Sequence, residues 1–232
     1  MIARDNVKFL KNILSIDNPN INYDLLEKIL MAIAHEHDLE KDILDSFSPN
    51  QFKSKLNLFN NIDDLKILNK DSEVVIMGSW YGSILISYLH DKVKKITCID
   101  LDERTLQVAK TYFFPKSDKI EWITGDLFED WKTHIYPKAD LFINTSCEHM
   151  KPMKEWGPHP AYKTPWWTRV KKNAHFAFQS NNMYGLKGHI NCVKKIEDFK
   201  QQLPEQFNIL VEDEVVETRG TRFTLIGNAR TT

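Results

Sequence analysis

The spacing of apolar residues divides the chain into two stretches of different period. Over residues 23–34, Leu25, Leu26, Ile29, Leu30 and Ile33 recur at i, i+1, i+4, i+5 and i+8, which gathers them on one helical face. Ser48-Pro49 then places an N-cap residue before a proline at the first helical position, and the segment it opens carries Phe52, Leu56 and Phe59 on one side. Residues 1–70 therefore read as an N-terminal helical extension. From residue 71 to 232 short β-rich runs at 73–77, 95–99, 120–124, 140–144 and 174–180 alternate with helix-length segments, the pattern of a parallel sheet with crossover helices. A helical stretch over 193–203 follows, and then two strand-like runs, 208–216 and 221–227, joined only by Glu217-Thr-Arg-Gly220. A crossover helix needs about a dozen residues or more, so these last strands are expected to be antiparallel. The predicted fold is α/β: a doubly wound seven-stranded sheet, mostly parallel, with a C-terminal antiparallel hairpin and the helical extension in front of it.

The ends of the first three predicted strands carry residues suited to a nucleotide-like ligand. The first strand runs into Met77-Gly-Ser-Trp-Tyr-Gly82 and then a helix-like segment, so Gly78, Ser79, Trp80 and Gly82 form a strand-to-helix turn. Glycines there let backbone and ligand approach closely. Asp100 stands eighteen residues after Gly82, at the end of the second strand, where a carboxylate can accept both hydroxyls of a ribose. Gly125-Asp126-Leu127 closes the third strand and can hold an adenine edge. Taken singly, the glycines also suit any tight βα turn and the two aspartates suit helix N-caps.

In this order, glycine-rich turn, acidic end of the second strand, Gly-Asp after the third and terminal hairpin, residues 71–232 resemble the class I S-adenosylmethionine-dependent methyltransferases. The resemblance implies that Gly78 to Gly82 wrap the methionine end of S-adenosyl-L-methionine, that Asp100 takes the ribose and that Asp126 takes the adenine, with Leu127 and Asn144 beside them. The chain departs from the family turn at two positions. Ile76 stands where an acidic residue is usual, and Trp80 replaces the middle glycine, where its ring can form a wall of the pocket. These departures keep open a chain that binds without catalysing. A glycine-rich turn with a downstream aspartate also suits a nicotinamide dinucleotide, which keeps an NAD-dependent oxidoreductase as an alternative.

Ligands of such sheets bind outside the carboxyl ends of the strands, which directs attention to the segments after the fourth and fifth. Asn144-Thr-Ser-Cys-Glu-His-Met150 follows the fourth, and its Glu148-His149 resembles the Glu-His of small-molecule methyltransferases of the ubiquinone-biosynthesis type. Either side chain can take a proton from an acceptor, and either can equally serve packing. Asn144 is not followed by the Pro-Pro-aromatic of amino-group DNA methyltransferases, and Cys147 lacks the preceding proline of the pyrimidine C5 enzymes. After the fifth strand, Asn181, Asn182, Tyr184 and His189 are candidate acceptor contacts, with Asn181 and Tyr184 favoured alongside Glu148 and His149 for the catalytic set. Between these strands, residues 151–167 hold four prolines and Trp156, Trp166 and Trp167, a composition that predicts a structured lid.

Composition narrows the choice of acceptor. With 31 Lys and Arg against 32 Asp and Glu, the net charge of −1 supplies no general field for a polyanion, so a small molecule is expected before nucleic acid, although Arg169-Val-Lys-Lys172 forms a local basic cluster. Three scattered cysteines without a CxxC pair point to a reducing, cytoplasmic setting and to no metal site. Apolar runs are strand-length, far below the roughly 20 residues that span a bilayer, and the first residues lack an apolar leader segment.

Overall fold

The computed structural model describes residues 23–127, 136–155 and 166–229. Residues 1–22 of the helical extension and residues 156–165 of the predicted lid, Trp156 among them, lie outside the described residues.

Among the described residues three α-helices precede the sheet: α1 (Tyr23–His35), α2 (Glu40–Ser46) and α3 (Pro49–Leu65). Ser48 caps α3 as its sequence predicts, its hydroxyl accepting from the Gln51 N–H at 3.4 Å. The α3 face differs in one position from the expected one: Phe52 and Phe59 are buried, whereas Leu56 is exposed and Leu58 and Ile62 complete the stripe. On α1, Ile29 and Ala32 are buried while Leu30 faces out.

The sheet follows: β1 (Glu73–Met77), β2 (Lys95–Asp100), β3 (Ile120–Thr124), β4 (Leu141–Asn144), β5 (His175–Asn181), β6 (Phe207–Glu217) and β7 (Gly220–Ala229). Its order is β3-β2-β1-β4-β5-β7-β6. All pairs from β3 to β5 are parallel, and β7 runs antiparallel to both β5 and β6. The hairpin is tighter than the sequence predicts: Glu217 pairs with Gly220, so only Thr218 and Arg219 form the turn. Helices α4 (Ser83–Leu89), α5 (Glu103–Val108) and α6 (Ile196–Lys200) complete the element order; α5 runs on through a π turn, Ala109–Phe113, and α6 occupies only the middle of the helical stretch expected there.

Side chains of a strand alternate between faces. On β1, Val75 and Met77 join a cluster with Phe142, Phe176, Phe178 and Leu225, while Val74 and Ile76 enter the opposite cluster with Ile96, Leu141, Ile143, Leu58 and Ile62. Both faces are thus covered, which is why the inner strands read as continuous apolar runs. A third cluster joins Ile29, Ile43 and Phe47 of the extension to Tyr81 and Phe113, so the extension packs on the turn after β1 and on the end of α5. No helix among the described residues is long and apolar enough to cross a membrane.

Candidate functional site

The carboxyl ends of β1, β2 and β3 are bound together by backbone. The N–H groups of Gly78 and Ser79 donate to the Ile99 carbonyl at 2.9 and 3.0 Å, and the Gly125 N–H donates to the Asp100 carbonyl at 2.8 Å. Gly78 and Gly82 have φ of +67° and +61°. A Cβ on Gly78 would approach Met150 Cε to 2.6 Å, and one on Gly82 would approach Ile86 Cδ1 to 2.5 Å. Both positions therefore favour glycine by conformation, and a side chain there would also have to displace the end of Met150 or Ile86.

Trp80 occupies the same left-handed region, φ +49°, without being glycine. A left-handed non-glycine residue costs on the order of 1–2 kcal/mol, and three hydrogen bonds explain how it is held. Its N–H donates to Asp100 Oδ2 at 2.6 Å, its indole Nε1–H donates to Asp42 Oδ2 at 2.9 Å, and the adjacent Tyr81 hydroxyl donates to the same Asp42 oxygen at 2.8 Å. Asp42 lies on α2, so the extension fixes the conformation of the turn. Ile76, in the usually acidic position, is fully buried in the core.

Asp100 is not a helix cap. The cap of α5 is Asp102, whose carboxylate accepts from the N–H groups of Arg104 and Thr105. Asp100 instead accepts from Trp80 through Oδ2 and from the Asp102 N–H through Oδ1, at 3.0 Å. Burial raises its pKa above the ordinary carboxylate value, opposed by these backbone donors.

A cavity of about 950 Å³ opens over these strand ends. Gly78, Ser79, Trp80, Gly82, Asp100, Asp126 and Leu127 all line it, so the glycine-rich turn and the two aspartates share one crevice. Leu101, 72% exposed, contributes an apolar surface beside Asp100.

The rest of the cavity lining comes from the segments after β4 and β5 and from the β6–β7 turn. Glu148 and His149 lie on a 3-10 turn, Cys147–His149, and both line the cavity together with His189. Glu148 is only 3% exposed. Its Oε1 accepts from Asn181 Nδ2 at 2.6 Å and from an Arg222 guanidinium N–H at 3.2 Å, while its Oε2 has no hydrogen-bond partner. Arg222 also donates to Glu217 at 3.2 Å and to the Thr145 carbonyl. Burial alone would lower the Arg222 pKa; the carboxylates of Glu148 and Glu217 outweigh it and raise the pKa. Lys55 of α3 completes this wall. Burial, reinforced by the charge of Arg222 and opposed by Glu148 and Glu217, brings its pKa down to about 7.

Other predicted residues stand back from the cavity lining. Asn144 is fully buried, accepting from the Ser146 N–H at 2.8 Å and donating to Met150 Sδ, and thereby shapes the turn that carries Glu148. Asn181 is fully buried behind Glu148. Asn182 accepts from the Thr221 N–H at 2.7 Å and supports the β7 edge. Tyr184 is 58% exposed and bonded to the Cys192 carbonyl. The Cys147 thiol is buried, its pKa pushed up well above the ordinary value by burial, which suits packing rather than nucleophilic attack. Trp167 packs edge-on against Phe207, pinning its segment to the domain. In the basic cluster, Val170 is buried and Lys171 pairs with Asp140.

Sequence reasoning did not single out Asp42, Lys55, Glu217 or Arg222. A lysine in the otherwise apolar core-facing stripe of α3 and an arginine inside an apolar strand are the signals that could have marked two of them.

No protein-family model and no curated protein matches the chain. Solved structures do. The N-methyltransferase NodS from Bradyrhizobium japonicum superposes with a TM-score of 0.60 at 13% identity, over 80% of this chain and 99% of that one. A protein from Bacillus halodurans described as a methyltransferase gives 0.56 at 15% identity, over 74% and 98%. TrmK of M. capricolum, solved with S-adenosyl-homocysteine, gives 0.50 at 12% identity, over 71% and 65%. The chain has the class I S-adenosylmethionine-dependent methyltransferase fold.

Proposed function

We propose that the chain is a methyltransferase that uses S-adenosyl-L-methionine to methylate a small-molecule acceptor at oxygen or nitrogen. The observation that carries this reading is the convergence of the glycine-rich turn, Asp100 and Asp126 on one cavity whose far wall holds Glu148, His149 and His189.

The residues present fit the cofactor. Gly78 and Gly82 let the turn take its left-handed conformation at the cavity edge, and the turn is held by Asp42 and Asp100. Asp100 lines the cavity, and its raised pKa marks a buried carboxylate that gains from further donors such as ribose hydroxyls. Leu101 and Asp126 offer an apolar face and a polar edge to the adenine. Bound, the cofactor supplies a methyl group on a good leaving group. The task of the protein is then to hold the acceptor atom in line and keep its surroundings fixed, which can supply several kcal/mol of the barrier, of the order of the ~7–11 kcal/mol of well-oriented intramolecular reactions.

Glu148 and His149 face the acceptor end, with Asn181 positioning Glu148; Asn144 positions the turn that presents them. The cavity lining carries more acids (Asp42, Asp45, Asp100, Asp126, Glu148, Glu217) than bases (Lys55, Lys151, Arg219, Arg222), and this excess supports a metabolite over a polyanion. The free thiols of Cys98, Cys147 and Cys192 support a cytoplasmic setting.

Equilibrium dialysis with radiolabelled S-adenosylmethionine tests the reading. One molecule retained per chain, with no retention of NAD, is the expected result. Retention of NAD alone would make the chain an oxidoreductase, and retention of neither would make it a non-catalytic protein.

A further inference from the structure

Glu148, His149 and His189 each offer one ligand atom to a common point: these atoms lie within 4.8 Å of one another. A second observation concerns Glu148 itself. It is almost wholly buried, Arg222 and Asn181 fix its Oε1, and its Oε2 is buried without a hydrogen-bond partner in a residue that lines the cavity. Leaving such a charged acceptor unpaired costs on the order of 1–3 kcal/mol or more, which a bound cation removes. A third is the state of His149. Its Nδ1 lies 2.9 Å from the Gly188 carbonyl, and a carbonyl only accepts, so Nδ1 carries a proton and it is Nε2 that offers the lone pair in the neutral ring. This is the arrangement by which a backbone carbonyl orients a metal-binding imidazole. Gly188 precedes His189 in the chain, and the two rings cross at 87° with centroids 4.7 Å apart.

We propose that Glu148, His149 and His189 form a binding site for one divalent transition-metal ion on the acceptor wall of the cavity. Bonds of roughly 2.0–2.2 Å place neighbouring ligand atoms about 3–3.5 Å apart, so the set must draw in by up to roughly 1.3–1.8 Å. His149 is exposed and His189 half-buried, and ring rotation can supply this, while Glu148 is held. Two imidazoles and one carboxylate favour manganese, iron, cobalt, nickel or zinc over calcium and magnesium, which prefer all-oxygen sites. The charges behind the site agree: two carboxylates, Glu148 and Glu217, face the single guanidinium of Arg222.

Three protein ligands leave open positions toward the cavity. These would take an acceptor oxygen, so the acceptor is a compound with a hydroxyl, preferably two adjacent ones that chelate; this clause rests on the methyltransferase reading, whereas the site does not. A hydroxyl on such an ion loses its proton far more readily than in water.

Tag-free full-length chain, stripped with a chelator, is titrated with Co²⁺ and followed by visible absorption and calorimetry. The expected result is one ion per chain, with affinity reduced at least about 10–100-fold in His149→Ala and in His189→Ala. Both are at the surface, and circular dichroism checks their fold; Glu148→Gln is a third variant expected to weaken the ion, and His35→Ala a control expected to leave it unchanged. No saturable Co²⁺ binding, or binding that both histidine variants retain, overturns the site. S-adenosyl-homocysteine is titrated into the same samples: its binding without cobalt refutes the metal alone, and cobalt binding without it refutes the methyltransferase reading alone.

Discussion

Lys55 gives the most quantitative test of the structure. Replacing it by methionine keeps the apolar stem and removes the amine. Its pKa falls from 10.5 in the unfolded chain to about 7 in the native protein, chiefly through burial. The native state therefore binds this proton less tightly, and the group destabilises the fold. The sign follows directly: above pH 10.5 the amine is neutral in both states and the penalty vanishes. As pH falls from 10.5 to 7 only the unfolded chain takes up the proton, and the penalty grows, levelling off below 7. At about 1.36 kcal/mol per unit, the penalty is ~4 kcal/mol at pH 7 and ~2 kcal/mol at pH 9. Lys55→Met should thus be more stable than the parent by ~4 kcal/mol at pH 7, with the gap closing by ~2 kcal/mol at pH 9. Urea unfolding of both proteins at the two pH values measures this. A gap that does not change with pH, or a variant less stable at pH 7, would refute the placement of Lys55 in the cavity wall. Since total stabilities are of the order of 5–15 kcal/mol, an amine this costly suggests a role at the site.

Three further outcomes are expected. Asp100→Ala should lose measurable S-adenosyl-homocysteine affinity in calorimetry while keeping the parent circular dichroism spectrum; parent affinity would remove the ribose assignment. Gly82→Ala forces a side chain into φ +61° and against Ile86, and should lower stability by about 1–3 kcal/mol in thermal unfolding, with an unchanged melting temperature speaking against the turn geometry. Asp42→Ala strands the Trp80 indole N–H and the buried Tyr81 hydroxyl, and should cost about 1–3 kcal/mol and shift tryptophan emission; an emission spectrum identical to the parent would argue that the extension does not hold the turn.

The sheet was legible because its signals are local. The runs at 73–77 and 120–124 coincide with β1 and β3, and the short Glu217–Gly220 link correctly announced an antiparallel pair. Helix faces were less legible: Leu30 and Leu56 match the apolar period yet face out, because the period fixes a stripe and not its edges. The Asp100 side of the cavity could be read from motif order. The other wall could be read only in part: Glu148, His149 and His189 stood out after the fourth and fifth strands, whereas Lys55 and Arg222 lie far from Glu148 in sequence and meet it only through β7 pairing beside β5. Asn181 illustrates the difference: its polarity after a strand suggested a contact with the acceptor, and burial assigned it to Glu148 instead. Trp80 was anomalous in sequence, and its explanation came from Asp42, 38 positions away.

The strand order has a kinetic corollary. The backbone bonds that join the ends of β1, β2 and β3 fall within residues 73–127, with Asp42 of α2 as their outside brace, whereas the rest of the cavity unites α2 and α3 with the turns after β4 and β5 and with the hairpin near residue 220. Short loops close at lower entropic cost than long ones, so the nucleoside half can assemble early in folding and the other half must wait for the hairpin to dock. A molecule caught between these stages would present a recognisable grip for adenosine with nothing yet opposite it.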